Sequence, residues 1–501
     1  MNYIFHFILL ILSFSLCCSE KNVNTRPNIL FIFADDLSYE AIGGLGHPLV
    51  KTPNIDRLIK KGTTYSHAYN MGGWNGAICV ASRAMLISGR SIWTAQEMAQ
   101  KWRNQDSLAF TQTWPKLMES AGYDTYMTGK WHVQAKAGSI FQTAVNIRPG
   151  MPGHLYDYQK VNRYIEEQGY NPKTWSDVMP AGYNRPLSEN DNSWSPTDSS
   201  FGGFWEGGIH WSEVIANDAL GFMDSAQKSS HPFFMYLAFN APHDHRQSPQ
   251  KYIDMYPLES IEIPENWLEE YPYKDSIGCS PSLRDEALAP FPRTPLAIKT
   301  HLQEYYAIIS HMDDQIGKIL EKLSISENAD NTYIIFTADH GLSVGHHGLI
   351  GKQNMYDHSM RVPFTISGPG IPQGKVSPSE IYLQDAMATS LEIAGVEKPD
   401  FIDFKSLMND IKGIDNQASR DAILGFYTND QRMIRKNGFK LIVYPRVPKL
   451  RLFLIDDDPL EMNDLSNEKE HESIIKEMLD ELILSQKEMG DNLILDRLDY
   501  L

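Results

Sequence analysis

Residues 28–36 read NILFIFADD, a continuous apolar run that ends in two aspartates. An apolar run without polar alternation is typical of a strand that is buried on both faces. A helical pattern follows at residues 54–61, with Ile55, Leu58 and Ile59 on one face. Because apolar runs and helical patterns alternate in this way along the chain, we predict an α/β fold.

Three further apolar runs, at residues 123–128, 233–239 and 333–337, are predicted strands, and helical patterns at 212–226 and 302–323 precede the later two. We therefore expect a large mixed, mostly parallel sheet flanked by helices. Beyond residue 376 the pattern changes to a smaller unit that ends in a charged helical stretch. This change predicts a large domain at 26–375 and a smaller C-terminal α+β subdomain at 376–501.

Each of the four predicted strands runs into polar residues at its carboxyl end. In open α/β sheets, ligands bind beyond the carboxyl ends of the strands. Three carboxylates gathered at one edge repel one another unless a cation lies between them. Oxygen ligands suit Ca²⁺ or Mg²⁺, and a histidine nitrogen adds a softer ligand. The residues at these strand ends are Asp35, Asp36, Lys130, His132, His243, Asp339 and His340.

The chain has 501 residues and a net charge of -18, from 45 basic and 63 acidic side chains. It is longer than one ordinary domain. A chain this acidic would repel a phosphate backbone, so we expect no nucleic-acid partner. An anionic substrate would need positive charge concentrated locally at the site.

The N-terminus carries an apolar stretch at residues 4–16, followed by Cys17 and Cys18. Its length is that of a signal-peptide core and too short for a bilayer span. We predict a signal peptide at 1–19, of the ordinary or the lipoprotein type, and export to the periplasm or cell surface without a transmembrane span. The other two cysteines, Cys79 and Cys279, could pair after export or could be small buried apolar residues.

The segment Cys79-Val80-Ala81-Ser82-Arg83, followed by Ser88-Gly89-Arg90, resembles the signature of the type I sulfatases of the alkaline phosphatase superfamily. The resemblance extends over roughly residues 26–466, in the family's order. The other matching segments are Arg26-Pro27-Asn28 with Asp35-Asp36, Thr52-Pro53-Asn54, Gly129-Lys130-Trp131-His132, Ala241-Pro242-His243, Thr337-Ala338-Asp339-His340-Gly341, Gly345-His346-His347-Gly348, Gly351-Lys352, Arg361-Val362-Pro363 and the Asp458-Pro459 turn.

The resemblance implies that Cys79 is oxidised to formylglycine by a maturation enzyme. One hydroxyl of the hydrated aldehyde would attack sulfur, and the second would expel sulfate by re-forming the aldehyde. The segment after Cys79 is a predicted helix start, which would direct backbone N–H groups at an anion. Two positions depart from the commoner pattern: Ala81 stands where proline is usual, and His340 where many members have asparagine.

The resemblance also implies how the charged residues are used. Lys130 and Lys352 would bind the sulfate oxygens from two sides, together with one Ca²⁺, and so stabilise charge in the transition state. The implied Ca²⁺ ligands are Asp35, Asp36, Asp339, His340 and the modified Cys79.

Proton transfers are implied for the remaining motif residues. Asp339 would be the base for the attacking hydroxyl, and Arg83 would orient the aldehyde hydrate. His243 would protonate the leaving alcohol, and His132 would accept the proton whose removal drives sulfate elimination.

Two other functions stay open at this stage: a phosphodiesterase or phosphonate monoester hydrolase of the same superfamily, and a non-catalytic glycan-binding homologue. The chain resembles bacterial sulfatases of polysaccharide degradation, so a sulfated algal or matrix glycan is the expected substrate. Residues 138–211 are irregular, and nine of the ten tryptophans lie between Trp74 and Trp211. An irregular insert of this kind usually shapes a binding site. Candidate sugar contacts are Arg185, Trp205, His210, His245 and Arg246.

Overall fold

The computed structural model describes residues 26–151, 156–175, 177–201, 203–414 and 419–500. The predicted signal peptide, with Cys17 and Cys18, lies outside these ranges. Within them, none of the helices combines the length and the apolar character that crossing a bilayer requires.

Eight strands form a large sheet, five form a smaller one, and two strands of two residues each form a hairpin. The strands are β1 (Asn28–Ala34), β2 (Thr63–Tyr69), β3 (Gly72–Gly73), β4 (Asp124–Lys130), β5 (Thr143–Arg148), β6 (Trp205–Glu206), β7 (Ile209–His210), β8 (Phe233–Ala238), β9 (Thr332–Ala338), β10 (Arg361–Ser367), β11 (Lys375–Tyr382), β12 (Ile423–Tyr427), β13 (Gln431–Lys436), β14 (Phe439–Tyr444) and β15 (Lys449–Leu454).

The α-helices range from single turns to 30 residues. They are α1 (Pro53–Lys61), α2 (Ile78–Ser88), α3 (Ile92–Arg103), α4 (Ser107–Thr111), α5 (Trp114–Ser120), α6 (Tyr158–Gln168), α7 (Pro172–Trp175), α8 (Trp211–Ala226), α9 (Gln250–Ile253), α10 (Pro295–Ser324), α11 (Asp357–Met360), α12 (Asp385–Ile393), α13 (Met408–Ile411) and α14 (Glu472–Glu488).

The large sheet has the order β11-β2-β10-β9-β1-β8-β4-β5. Its centre is parallel, because β1 pairs in parallel with both β8 and β9, and β4 with β8 and β5. Strand β10 runs antiparallel to both of its neighbours. Every residue of β1 is buried, as its unbroken apolar sequence predicts. These features confirm the predicted α/β class with a mixed, mostly parallel sheet.

Two groups of helices flank this sheet. Helices α1, α8 and α10 pack together, and α2 packs with α3, α5 and α12. Helix α10 begins seven residues before its apolar pattern does, because Pro295 occupies its first turn and the Thr294 side chain accepts from the Ala297 N–H. All eleven residues of α2 are buried, so this helix lies entirely inside the protein.

The smaller sheet has the order β15-β14-β13-β12-β3, and α14 packs against β13 and β14. Its fifth strand comes from far upstream: β3 pairs in parallel with β12, directly before α2. A Cβ at Gly72 would collide with the Phe426 carbonyl, so only glycine permits this approach. Strand β11, beyond residue 375, still belongs to the large sheet, and the division of the chain at 375/376 stays a prediction.

Candidate active site

The carboxyl ends of β1 and β9 bring the predicted carboxylates together. The two strands are in register to their last residues, where Ala34 pairs with Ala338. The Asp339 N–H donates to the Ala34 carbonyl (3.2 Å), and the Asp36 N–H donates to Asp339 Oδ1 (3.2 Å). Asp36 has a positive φ of 65°, which turns the chain away from the strand. The register of the sheet therefore fixes the spacing of these side chains.

Helix α2 delivers Cys79 to the same place. Cys79 is the second residue of the helix, 2% exposed, and its Sγ lies 3.2 Å from His340 Nε2. Arg83 lies one helical turn later and so on the same face. The Ser82 hydroxyl donates to the Asp339 carbonyl (2.8 Å), which joins α2 directly to the end of β9.

A group of oxygen, nitrogen and sulfur ligands suited to a metal ion lies at this junction. Ligand atoms of Asp35, Cys79, Asp339 and His340 are all within 4.8 Å of one another, as are those of an overlapping set with Asp36 and His243. The three aspartates have no exposed surface. Adjacent buried carboxylates with an imidazole fit a divalent cation, because its charge removes their mutual repulsion.

Three basic side chains also face the carboxylates. Lys130 forms an ion pair with Asp35, and Lys352 Nζ lies 2.9 and 3.0 Å from the two oxygens of Asp36. Arg83 Nε donates to Asp339 Oδ2 (3.0 Å) and its Nη1 to the Lys130 carbonyl (3.0 Å). The site thus holds buried side chains of both signs, and each buried charge needs a partner of opposite sign.

Burial and neighbouring charges shift the pKa values in opposite directions. Burial, with the charge of Asp339, raises the pKa of Asp35 well above its ordinary value. Burial alone would also raise the pKa of Asp339, but His340 and Arg83 outweigh burial and hold that pKa below its usual range. Burial would lower the pKa of His340, yet Asp339 and Asp36 raise it to about 9.

The same field acts on Cys79. Burial would raise the pKa of its thiol, but Lys130, Lys352 and His340 lower it well below the ordinary value. A position that favours a thiolate also favours other anions, such as a sulfate group.

Two histidines complete the cluster. His132 follows β4 with a φ of 52°, and burial lowers its pKa. Its Nδ1 has no hydrogen-bond partner within the described ranges. His243 follows β8; its Nε2 lies 3.1 Å from Lys352 Nζ, and its Nδ1–H donates to the Asp244 main-chain carbonyl (2.7 Å). The structure therefore brings all the residues of the predicted site into one buried cluster, whereas their individual roles stay predictions.

Three of the five predicted sugar contacts are buried. Arg185 is buried and donates through Nη1 and Nη2 to both oxygens of Glu304 (2.6 and 2.5 Å). His210 is buried and caps α8, and Arg246 is 1% exposed. Arg185 and His210 therefore serve internal contacts, whereas Arg246 Nη2 has no hydrogen-bond partner in the described part of the chain and its sugar contact stays a prediction.

The tryptophans of the insert also serve mainly in packing. Trp175, Trp194 and Trp211 are buried, and His245 lies against the Trp194 ring at 5.3 Å between centroids. Trp205 is partly exposed.

Cys79 and Cys279 are both free thiols, so the disulfide alternative does not apply. Sequence reasoning also missed three charged residues next to the site: Asp244, Arg284 and Asp285. Asp244 adjoins the histidine of the Ala-Pro-His motif, which is a usable signal. Arg284 and Asp285 lie in an irregular stretch that carries no such sequence signal.

Comparison with known proteins agrees with this geometry. A family model described as Sulfatase matches residues 27–396, and one described as N-sulphoglucosamine sulphohydrolase, C-terminal, matches residues 345–488. An ulvan-active sulfatase of Formosa agariphila is 27% identical over 97% of this chain and 87% of its own length.

Two solved structures share the fold. A protein in complex with its substrate D-glucosamine-2-N,6-O-disulfate has a TM-score of 0.68 at 22% identity, over 93% of this chain and 99% of that one. A phosphonate monoester hydrolase of Agrobacterium radiobacter has a TM-score of 0.67 at 19% identity, over 93% and 96%. At these identities the likeness concerns the fold alone.

Proposed function

The chain belongs to the sulfatase family and is a sulfuric ester hydrolase, and we propose that it removes sulfate from a sulfated polysaccharide or its oligosaccharides, using a formylglycine made from Cys79. One observation carries the proposal. Cys79, at the start of α2, lies among three buried carboxylates and two lysines, with His340 Nε2 3.2 Å from its sulfur.

We propose that Asp35, Asp36, Asp339, His340 and the modified Cys79 hold one Ca²⁺. When present, the ion would polarise the sulfate oxygens and the hydrated aldehyde would supply the attacking oxygen. Lys130 is paired with Asp35 and Lys352 with Asp36. Each can turn its ammonium group toward a sulfate oxygen, where negative charge develops.

The remaining side chains hold or move protons. Asp339 would accept the proton of the attacking hydroxyl, and Arg83, which donates to Asp339, would orient that hydroxyl. His243 would donate a proton from Nε2 to the leaving alcohol. His132, whose lowered pKa keeps it neutral, would accept the proton released as sulfate departs.

The substrate class rests on the relatives. One acts on ulvan and another was solved with a disulfated glucosamine, so sulfated glycans are the class we propose for this chain. The fold shared with a phosphonate monoester hydrolase makes phosphorus esters the competing class. The proposal includes a formylglycine-generating maturation enzyme as partner, and export to the periplasm or cell surface.

The test is sulfate release from a panel of sulfated glycans by mature, metal-loaded protein produced with a formylglycine-generating enzyme. We expect release by the wild type and none by Cys79→Ala. Cys279→Ala is the matched control, because Cys279 is equally buried and its thiol donates to the Gln353 carbonyl. Hydrolysis of phosphonate monoesters without any sulfate release, by a protein with Cys79 converted, would reject the proposal.

A further inference from the structure

A second cluster of buried charges lies beside His243 and Lys352, and the roles described above do not use it. Its members are Asp244, Arg284 and Asp285, exposed by 2%, 7% and 3%. Buried charges are costly unless each has a partner, so the pairing within this cluster is informative.

Arg284 joins the two carboxylates. Its Nη1 and Nη2 both donate to Asp244, with Nη2 at 3.3 Å from Oδ1, and Nη2 also forms an ion pair with Asp285. A planar guanidinium fixes the orientation of the carboxylate that it binds, which a lysine does not do.

Each carboxylate then contacts one side chain of the candidate site. Asp244 Oδ1 lies 3.3 Å from His243 Nδ1, beside the 2.7 Å hydrogen bond from Nδ1–H to the Asp244 carbonyl. Asp285 Oδ2 lies 3.6 Å from Lys352 Nζ and accepts from Gln353 Nε2 (2.6 Å).

This arrangement fixes which nitrogen of His243 faces the chemistry. With Nδ1–H between the Asp244 main-chain carbonyl (2.7 Å) and the Asp244 carboxylate (3.3 Å), Nε2 points toward Lys352 Nζ (3.1 Å) and Asp36 Oδ2 (3.8 Å). A histidine without a partner on Nδ1 could rotate or adopt the other tautomer, which would direct the wrong nitrogen at the leaving group.

We propose that Asp244 and Arg284 are positioning residues for His243, holding its Nε2–H toward the oxygen of the leaving alcohol. This inference rests on the proposed function, in which His243 is the acid. As the S–O bond breaks, its electron pair stays on the alcohol oxygen, which takes the Nε2 proton. His243 is left neutral, with Nδ1–H still bound to Asp244.

The test compares two leaving groups. A sugar alkoxide needs protonation as it leaves, whereas 4-nitrophenolate needs little. We expect Asp244→Asn to lower kcat for the sulfated sugar found in the release assay by about 100-fold, the scale of general-acid catalysis. KM should change by less than about threefold, and the loss on 4-nitrophenyl sulfate should be at least about tenfold smaller.

Asp385→Asn is the matched control, because Asp385 forms a comparable buried bidentate pair with Arg420 (2.6 and 2.7 Å) away from the reacting groups. We expect it to lower Tm and to affect both esters equally. If Asp244→Asn does not fold, Arg284→Lys is the second variant, because it keeps the charge but loses the paired N–H donors of the guanidinium. It should show the same selective loss of kcat on the sulfated sugar, to a smaller extent.

If the wild-type protein does not hydrolyse aryl sulfates, kcat and KM on the sugar sulfate still decide the question. In that case we expect Asp244→Glu to recover part of the kcat that Asp244→Asn loses. Equal losses on both esters, or a loss confined to KM, would overturn the positioning role while the proposed function stands. Sulfate release that is absent in the wild type, or that survives Cys79→Ala, would overturn the proposed function and with it the role of His243.

Discussion

Asp35, Asp36 and Asp339 are buried carboxylates, so each of them needs a positive charge nearby. They have no exposed surface, and the lysines that pair with Asp35 and Asp36 are the groups that we propose for sulfate binding. When those basic groups turn toward substrate, the carboxylates need another cation. This exchange of partners gives a physical reason for a metal ion at this site.

Removing the metal is therefore expected to lower both activity and stability. Dialysis against EGTA should reduce kcat/KM for sulfate release by about 100-fold or more, because metal polarisation is worth several kcal/mol in the transition state. Tm should fall as well, since an ion that binds only the folded state stabilises it.

Ca²⁺ should restore the activity, and elemental analysis of the untreated protein should find one calcium per chain. Full activity in a protein shown to be metal-free would contradict the metal assignment.

At this scale the sequence predicted much of the site. The strand ends named Asp35, Asp339 and His243 as neighbours, because parallel strands meet at one edge. The resemblance added Cys79, Arg83 and Lys352. Arg284 could not be predicted, since its position depends on the path of an irregular segment. The internal partners of Arg185 and His210 could not be predicted either. A polar residue in an irregular insert looks the same in the sequence whether it binds sugar or a neighbouring helix.

Among the elements, β4 has an unusual end. Its pairing with β5 shifts register between Thr128 and Gly129, directly before Lys130. Gly129 has a φ of 93°, and a Cβ there would collide with the Ala238 carbonyl of β8. The extra residue is Asn146 on β5, so the close approach of Gly129 to β8 is the feature that sets the path of β4 into Lys130, which pairs with Asp35.

Gly129→Ala should therefore destabilise the protein by about 2 kcal/mol or more and displace Lys130. We expect a lower Tm together with a reduced kcat/KM for sulfate release. Gly221→Ala, in the middle of α8 with open space around it, is the control and should be neutral or slightly stabilising. Wild-type Tm and kinetics in Gly129→Ala would show that the close approach of Gly129 to β8 is unimportant.

Helix α8 begins with a pH-sensitive cap. His210 Nδ1 accepts from the Ser212 N–H (3.1 Å), and its Nε2–H donates to the Gln247 carbonyl (2.9 Å), so the ring must be neutral. Burial lowers its pKa from the ordinary 6.5 to about 4. Since the unfolded state binds this proton first, the stabilisation is fully present above pH 6.5 and is lost as pH falls toward 4.

His210→Asn should retain a capping oxygen but flatten the fall in the free energy of unfolding between pH 6.5 and 4, by up to about 3 kcal/mol. Denaturant unfolding at several pH values measures this slope. His231→Asn, at an exposed histidine, serves as the control. An unchanged slope in His210→Asn would mean that other groups dominate acid unfolding.

The helix and strand order was predictable because buried parallel strands and amphipathic helices have distinct periods. The pairing of β3 with β12 was not, because a two-residue strand has no periodicity of its own.

The net charge of -18 opposes the approach of a polyanion, while the basic groups proposed to bind sulfate lie inside a buried site. Long-range repulsion acts between many charges and is screened by salt, whereas contacts inside the site are screened far less. A sulfated polymer should be more sensitive to ionic strength than a short sulfated sugar.

We therefore expect kcat/KM on a sulfated polysaccharide to rise by about threefold or more between 10 and 150 mM NaCl, because repulsion slows encounter. The value on a monosulfated monosaccharide should change much less. Equal salt dependence for both substrates would indicate that the surface charge has no influence on encounter.

The pairing of β3 with β12 also bears on how long Cys79 stays accessible while the chain is being synthesised. Cys79 is 2% exposed in the finished fold, so an enzyme that modifies it must act before the chain closes around it. The strand β3, which leads into α2, pairs with β12, so the fold around Cys79 is complete only once β12 has been made. Roughly 340 residues must be made between Cys79 and β12, which at about 5–20 residues per second leaves the cysteine accessible for roughly 20 to 70 seconds. If Cys79 is modified as we propose, the late position of β12 in the chain sets the time that the modifying enzyme has to act.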